Sequence, residues 1–311
     1  MTANSIHSSS APAAPADPRQ VLTSETLTQL NQRSDRAGAL RLVGHLLTLL
    51  LSGGLWAFAP VWLAIPALFV YGTGLALMFC AMHECVHRTA FSRVKANDAV
   101  AWFAGLLSFY NATFYRRYHK RHHRYTQIPG KDPELDDPKP ETLAQYLWQL
   151  SGLPWWWGKL VAHTQMALGH VEQFPFLSET AQAEVVRSVR SQLAVYGAIA
   201  LVSALLGHPG LIVTHWLLPL AVGQPVLRYV LLAEHGGCTQ DDNPLTNTRT
   251  TLTLGPLRFL MWNMPYHAEH HLYPSIPFHA LPAAHRSLSP QFAQVAPGYL
   301  SVHRGILAAF E

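Results

Sequence analysis

Two long stretches of the chain contain no Asp, Glu, Lys or Arg. Residues 42–59 read LVGHLLTLLLSGGLWAFA and residues 61–82 read VWLAIPALFVYGTGLALMFCAM, with only Pro60 between them. Each approaches the roughly 20 apolar residues that a helix needs to cross a bilayer. The short junction predicts a transmembrane hairpin. A third uncharged stretch, residues 191–227, is broken at GHPG (207–210), which predicts a second hairpin with its irregular backbone outside the hydrocarbon. The expected spans are about 42–59, 61–82, 191–207 and 210–232, with both chain ends on one side. Residues 98–110, DAVAWFAGLLSFY, are apolar but too short to span, so they predict a re-entrant or surface helix. LPWWWGKL (153–160) sets Trp155, Trp156 and Trp157 beside Lys159, the pattern of an interfacial anchor.

The charged residues orient this scheme. None of the 22 Lys and Arg residues lies in either uncharged hairpin segment; they occupy the N-terminal segment, residues 88–190, and the region from Arg228 onward. Basic residues near span ends collect in the cytoplasm, so one cytoplasmic face should hold nearly all the polar chemistry. The expected layout is an N-terminal cytoplasmic tail (1–36), a membrane domain (37–290) whose cytoplasmic cap comprises 83–190 and 233–290, and a C-terminal cytoplasmic segment (291–311). Residues 1–20, rich in Ala, Ser and Pro, read as disordered and lack the apolar core of a signal peptide.

Composition agrees. The 311-residue chain is 49% hydrophobic and 13% charged, against roughly 25% charged in soluble domains. A net charge of +4 suits a face lying on anionic lipid, and no basic stripe with interleaved aromatics suggests nucleic acid. Cys80, Cys85 and Cys238 form no CxxC and are odd in number, which argues against a disulfide framework or a thiolate zinc site. GTGLAL (72–77) resembles a dinucleotide fingerprint but lies inside a span and follows no strand.

Histidine is the departure from this pattern. HECVH (His83, His87), HKRHH (His119, His122, His123) and HAEHH (His267, His270, His271) all fall on the expected cytoplasmic side. On a helix, spacings of three and four place side chains on one face, so each cluster can aim imidazoles at a common point. With 18 histidines in the chain, about one HxxxH is expected by chance, whereas two HxxHH would occur in roughly one shuffle in 500. The pair of HxxHH clusters therefore carries the signal. His83 and His87 leave the second span, and His235 stands at the corresponding exit of the fourth; ionisable groups there are functional candidates by default. These nine imidazoles are too many for one ion and suit two. Imidazole is compatible with zinc, copper, iron and nickel, while the absence of cysteine partners disfavours iron–sulfur and structural zinc sites.

With these three boxes the chain resembles the membrane fatty acid desaturase and hydroxylase superfamily, over about residues 40–285. The resemblance implies an all-α integral membrane fold: four transmembrane helices in two hairpins, under a helical cytoplasmic cap that holds a di-metal site. It implies His83, His87, His119, His122, His123, His235, His267, His270 and His271 as ligands of two iron ions, with dioxygen as co-substrate. It further implies desaturation of a fatty acyl chain. The chain departs from the pattern at Leu231, where structurally understood acyl-CoA relatives carry an Asn holding a metal-bound water. It also lacks the HPGG of a fused cytochrome b5. Electrons would then come from a separate donor of ferredoxin or cytochrome b5 type with its reductase.

Metal-bound imidazoles usually donate their remote N–H to a carboxylate or carbonyl. Glu84, Glu234, Glu269 and Asp132 are the candidates, the last in GKDPELDD with Glu134, Asp136 and Asp137. Arg249 is placed to order the segment before the third box. His163 and His170 lie two turns apart on an interfacial helix; His45, His208 and His215 read as packing residues, and His279 and His285 match no position of the family. Rival readings are a hydroxylase or ketolase of a carotenoid or other lipid, an enzyme of the same class acting on a small polar metabolite, and, more remotely, a metal transporter or sensor. The last would need charged or polar groups deep in the spans, and both hairpin segments lack Asp, Glu, Lys and Arg.

Overall fold

The computed structural model describes residues 21–310; the expected disordered tail at 1–20 lies outside the described residues. The chain begins with α1 (Ser24–Leu30), capped by the Thr23 hydroxyl, which accepts from the Thr26 N–H. Val21, Leu22, Leu27 and Leu30 pack on a buried cluster around Leu281 and Leu288. Residues 21–36, expected in the tail, thus belong to the body, because they bring apolar side chains to bury.

Four helices are long and apolar enough to cross a membrane: α2 (Asp35–Phe58), α3 (Val61–Val86), α8 (Glu179–Leu205), and a fourth running Val213–His235. Between them lie α4 (Val94–Ser108), α5 (Ala112–Tyr125), α6 (Leu143–Leu150) and α7 (Leu153–Leu168). The fourth opens with a π-helical turn at Val213–Leu217 and continues as α9 (Leu218–His235). Short helices α10 (Gly255–Leu260), α11 (His267–Leu272), α12 (Leu281–Leu288) and α13 (Tyr299–Ala308) follow. The only strands among the described residues are β1 (Thr250–Thr251) and β2 (Val295–Ala296), paired in parallel. This pairing, with α13 packed on α9, ties residues 291–310 into the same body.

Helix ends differ from the expected spans on the polar side. α3 runs four residues beyond position 82, and α8 begins at Glu179 rather than 191. In α8, Ala181, Val185 and Val189 are buried at a spacing of four while Arg187 and Arg190 face outward. A boundary read from the absence of charge cannot see a helix that continues as an amphipathic one. α4, with 15 residues, is about 22 Å long at 1.5 Å per residue, and lies along α3.

The core sits around α3, against which α2, α4 and α9 pack. Gly72 and Gly223 explain how close α3 and α9 come. A Cβ on Gly223 would lie 1.9 Å from the Gly72 carbonyl oxygen, and one on Gly72 would lie 2.1 Å from that of Pro219. α8 rests mainly on α7 and α5. Leu50, Leu51, Phe58, Trp62, Ile65, Leu205 and Leu206 are exposed, an apolar surface of the kind that a bilayer covers. Of the tryptophan triplet on α7, Trp157 faces outward, whereas the Trp155 indole donates to the Tyr110 hydroxyl and Lys159 sits over the Tyr110 ring.

Candidate metal centre

Each box is delivered by a helix whose end the local sequence defines. α3 stops at its C-cap His87 because Arg88 adopts the left-handed conformation (φ 61°). α5 starts at Asn111, whose side-chain oxygen accepts from the Phe114 N–H while its amide donates to Gln192 on α8. α11 follows two successive left-handed residues, Trp262 and Asn263; the Asn263 amide donates to the Phe278 carbonyl and closes the turn. The buried Arg249 guanidinium donates to the carbonyls of Ala233 and Gly236. It thereby satisfies the C-terminal end of α9, next to His235.

The nine predicted histidines meet in two groups. One contains His83, His87, His119, His123 and His270, the other His122, His235, His267 and His271; within each group the ligating atoms lie within 4.8 Å of one another. His87 and His123 are half-buried and the other seven buried. The HxxHH pattern explains the division: residues i+3 and i+4 lie on the same face but flank i about 100° apart, so they aim at two neighbouring points and i sides with the nearer i+4. His119 and His123 of α5 join the first group and His122 the second, while α11 sends His270 to the first and His267 with His271 to the second.

Most rings face inward through Nε2. His83 and His270 bring Nε2 atoms to 2.9 Å, His119 and His123 to 3.0 Å, and His122 and His271 to 3.3 Å. The outer nitrogens are held. Tyr115 Oη contacts Nδ1 of both His83 (3.2 Å) and His119 (3.4 Å), Asp132 takes Nδ1 of His122 (2.9 Å), Thr126 meets Nδ1 of His271, and the Asn247 carbonyl takes Nδ1 of His235. His87 Nε2, His123 Nδ1, His235 Nε2 and His267 Nδ1 have no hydrogen-bond partner among the described residues. Unpaired polar atoms at this depth are costly, and a metal ion would satisfy them.

Electrostatics point the same way. Burial, then repulsion from neighbouring imidazoles, holds His119, His123, His267, His270 and His271 well below the usual histidine range; His87 is pushed down to about 3 by burial and then by Arg116. They are neutral at physiological pH, the form that binds metal. His122 is the exception: burial lowers it, but the carboxylates of Glu134 and Asp132 outweigh this and raise it.

The four candidate acids divide. Asp132 contacts His122, and Glu234 Oε2 lies 3.4 Å from His267 Nε2. Glu84 instead accepts from the Thr89 hydroxyl and the Phe278 N–H, and Glu269 is held by Thr250 and by His285 at 2.5 Å. These two acids tie the third-box region to α3, β1 and α12. Glu134, noted in the acidic loop, brings its Oε2 to 3.6 Å from His122 Nε2; two contributors lay outside the sequence reading, Tyr115 one turn before His119 and His285 as the partner of Glu269. Their only sequence signal was proximity to a box. His163 is buried and bonded within its own helix while His170 is exposed, so the structure does not join them. His45 bonds to the Gly74 carbonyl and the Trp262 indole.

Four apolar spanning helices beneath a buried, histidine-rich metal-binding cluster define an integral membrane metalloprotein. The fatty acid desaturase family model matches residues 60–303, so the chain belongs to the fatty acid desaturase family. It is 32% identical over 174 residues to an sn-1 oleoyl-lipid 12-desaturase of Picosynechococcus sp., covering 53% of this chain and 48% of that protein. It is 28% identical over 229 residues to a sphingolipid delta(4)-desaturase of Xenopus tropicalis (72% and 65% covered). A sphingolipid delta(4)-desaturase/C4-monooxygenase of Mus musculus is 26% identical over 230 residues (71% and 64%). The chain thus spans about half to two thirds of the length of these relatives.

Proposed function

We propose that the protein is an oxygen-dependent di-iron desaturase that introduces a double bond into a fatty acyl chain, lipid- or thioester-linked. The observation that carries this reading is the pairing of two imidazole groups on shared helices, in a chain of the desaturase family. A five-imidazole set exceeds the four positions of a structural zinc site and leaves iron the better fit. Two iron ions bound there would supply the reduction of dioxygen and the oxidising power to remove hydrogen from an unactivated C–H bond.

The chain's own residues bind and orient. The nine imidazoles would hold the metals, Tyr115, Asp132 and the Asn247 carbonyl fix rings among them, and the packed helices exclude water. Overall, a –CH2–CH2– unit, dioxygen, two electrons and two protons become –CH=CH– and two waters. The electrons would come from a separate ferredoxin or cytochrome b5 with its reductase, on the cytoplasmic face.

Expression in a host of defined lipid composition, followed by mass spectrometry of lipids and polar metabolites, tests the reading. Loss of two hydrogens from an acyl chain supports it, and changes confined to polar metabolites overturn the substrate class. Gain of one oxygen would support hydroxylation, the second reading, which the name of the mouse relative favours. Purified protein should contain two irons per chain; zinc alone would defeat the di-iron assignment.

A further inference from the structure

Below the metal centre, one face of α9 changes character along its length. Gln224, Arg228, Leu231 and His235 recur at spacings of four, three and four, so they share a side of the helix. Gln224 is fully buried, yet neither polar atom of its amide has a hydrogen-bond partner among the described residues, and the buried Nε of Arg228 has none either. The Arg228 guanidinium donates instead to the Tyr110 hydroxyl (2.7 Å), which also accepts from the Trp155 indole and donates to no acceptor among the described residues. The Lys159 ammonium, on α7, lies 3.9 Å from the centroid of the same Tyr110 ring. Both cations also face Trp155, at 5.4 and 5.8 Å. Two positive groups are thus gathered on Tyr110 and Trp155, and neither forms an ion pair among the described residues. Burial, then the charge of Arg228, pushes Lys159 down to about 7. Like charges held together away from water are costly, and an anion between them would relieve both.

The surroundings say what kind of anion. Leu153, Trp157 and Leu160 are exposed on α7, which sets that helix at the level of lipid headgroups. Toward the metals, Arg228 stands seven residues before His235, about 10 Å of helix rise. Tyr110 packs on Tyr115 with ring centroids 5.9 Å apart, and Tyr115 meets Nδ1 of His83 and His119. The geometry points to Lys159 and Arg228 as the seat of the substrate's anionic head, the phosphate or free carboxylate of an acyl amphiphile, with its methylenes passing Leu231 toward the metal groups. A guanidinium and an ammonium together match an oxyanion, and the Tyr110 hydroxyl and the Gln224 amide offer it further donors. The assignment rests on the acyl-substrate reading above and narrows it, since an acyl thioester has no charge beside its carbonyl.

Full-length protein in an uncharged detergent tests this by equilibrium binding of radiolabelled oleate and dioleoyl phosphatidic acid, each against its uncharged counterpart, methyl oleate and dioleoylglycerol. Wild type should bind one anionic lipid per chain about tenfold more tightly than the counterpart. Preference for oleate assigns a carboxylate head, and preference for phosphatidic acid a phosphate. Lys159→Gln and Arg228→Gln should each remove most of that preference and Arg228→Lys should keep part of it, with metal content unchanged in all three. Where Arg228→Gln fails to fold, Lys159→Gln, on the surface helix, decides. Equal binding of charged and uncharged lipids, or a preference that survives both glutamine substitutions, overturns the site. If the preferred lipid stays unreacted with iron, dioxygen and an electron donor while another acyl chain is converted, the bound lipid is structural and its role as substrate is overturned. Binding is read without turnover, so an intact preference with no acyl product of any kind overturns the desaturase reading and leaves the anion site standing.

Discussion

The ring of His122 has a carboxylate on each side: Asp132 at Nδ1 and Glu134 near Nε2. Asp132 also accepts the backbone N–H groups of Gln127 and Glu134, so one short acidic loop both orients the ring and anchors itself. Asp132→Asn should weaken metal binding about 10–100-fold, as read by chelator competition. His270→Ala should abolish activity and remove metal from the five-histidine group while the protein still inserts in membranes, since that residue follows the last span. Full activity with two irons would refute its role. The buried neutral imidazoles set a pH dependence. His87 is pushed from 6.5 down to about 3, so between those values the unfolded chain binds a proton that the folded chain refuses. Stability of the metal-free protein should fall as pH drops below about 6.5, and melting curves at several pH values with and without Fe(II) should show iron opposing the loss. The nine histidines were legible because spacing of three and four encodes a helix face. Tyr115 and His285 were not, because their partners lie on other elements or carry no periodic signature.

At the scale of elements, α3 and α9 form the frame, since one ends in His83 and His87 and the other in Glu234 and His235. Their contact depends on Gly72 and Gly223, which the sequence offered only as part of a false dinucleotide fingerprint and an uncharged span. Gly223→Ala puts a methyl against the Gly72 carbonyl and should cost about 1–3 kcal/mol, seen as a lower melting temperature with weakened metal retention. An unchanged melt would show that the helices can part without strain. The spans could be found from missing charge, but their polar ends could not, because burial of Ala181, Val185 and Val189 depends on partners far away in sequence.

For the molecule as a whole, α3 and α9 both carry histidines at their C-terminal ends, and the two-hairpin reading sets those ends and the basic segments opposite the turn at 207–210. With the metal centre cytoplasmic, His208→Cys should react with an impermeant thiol reagent on intact cells and Arg304→Cys only after permeabilisation; the reverse would invert the topology. The four-span scheme was readable because lipid imposes a length rule, whereas the integration of residues 21–36 and 291–310 depends on tertiary contacts that no local pattern announces. One feature joins all three scales: α5 and α11 each send histidines to both groups. Neither helix can rotate to suit one ion without moving a donor of the other. Filling one site should therefore prepare its neighbour, so that iron uptake is sigmoidal and half-loaded molecules are scarce during titration. A hyperbolic curve would show that the sites fill independently.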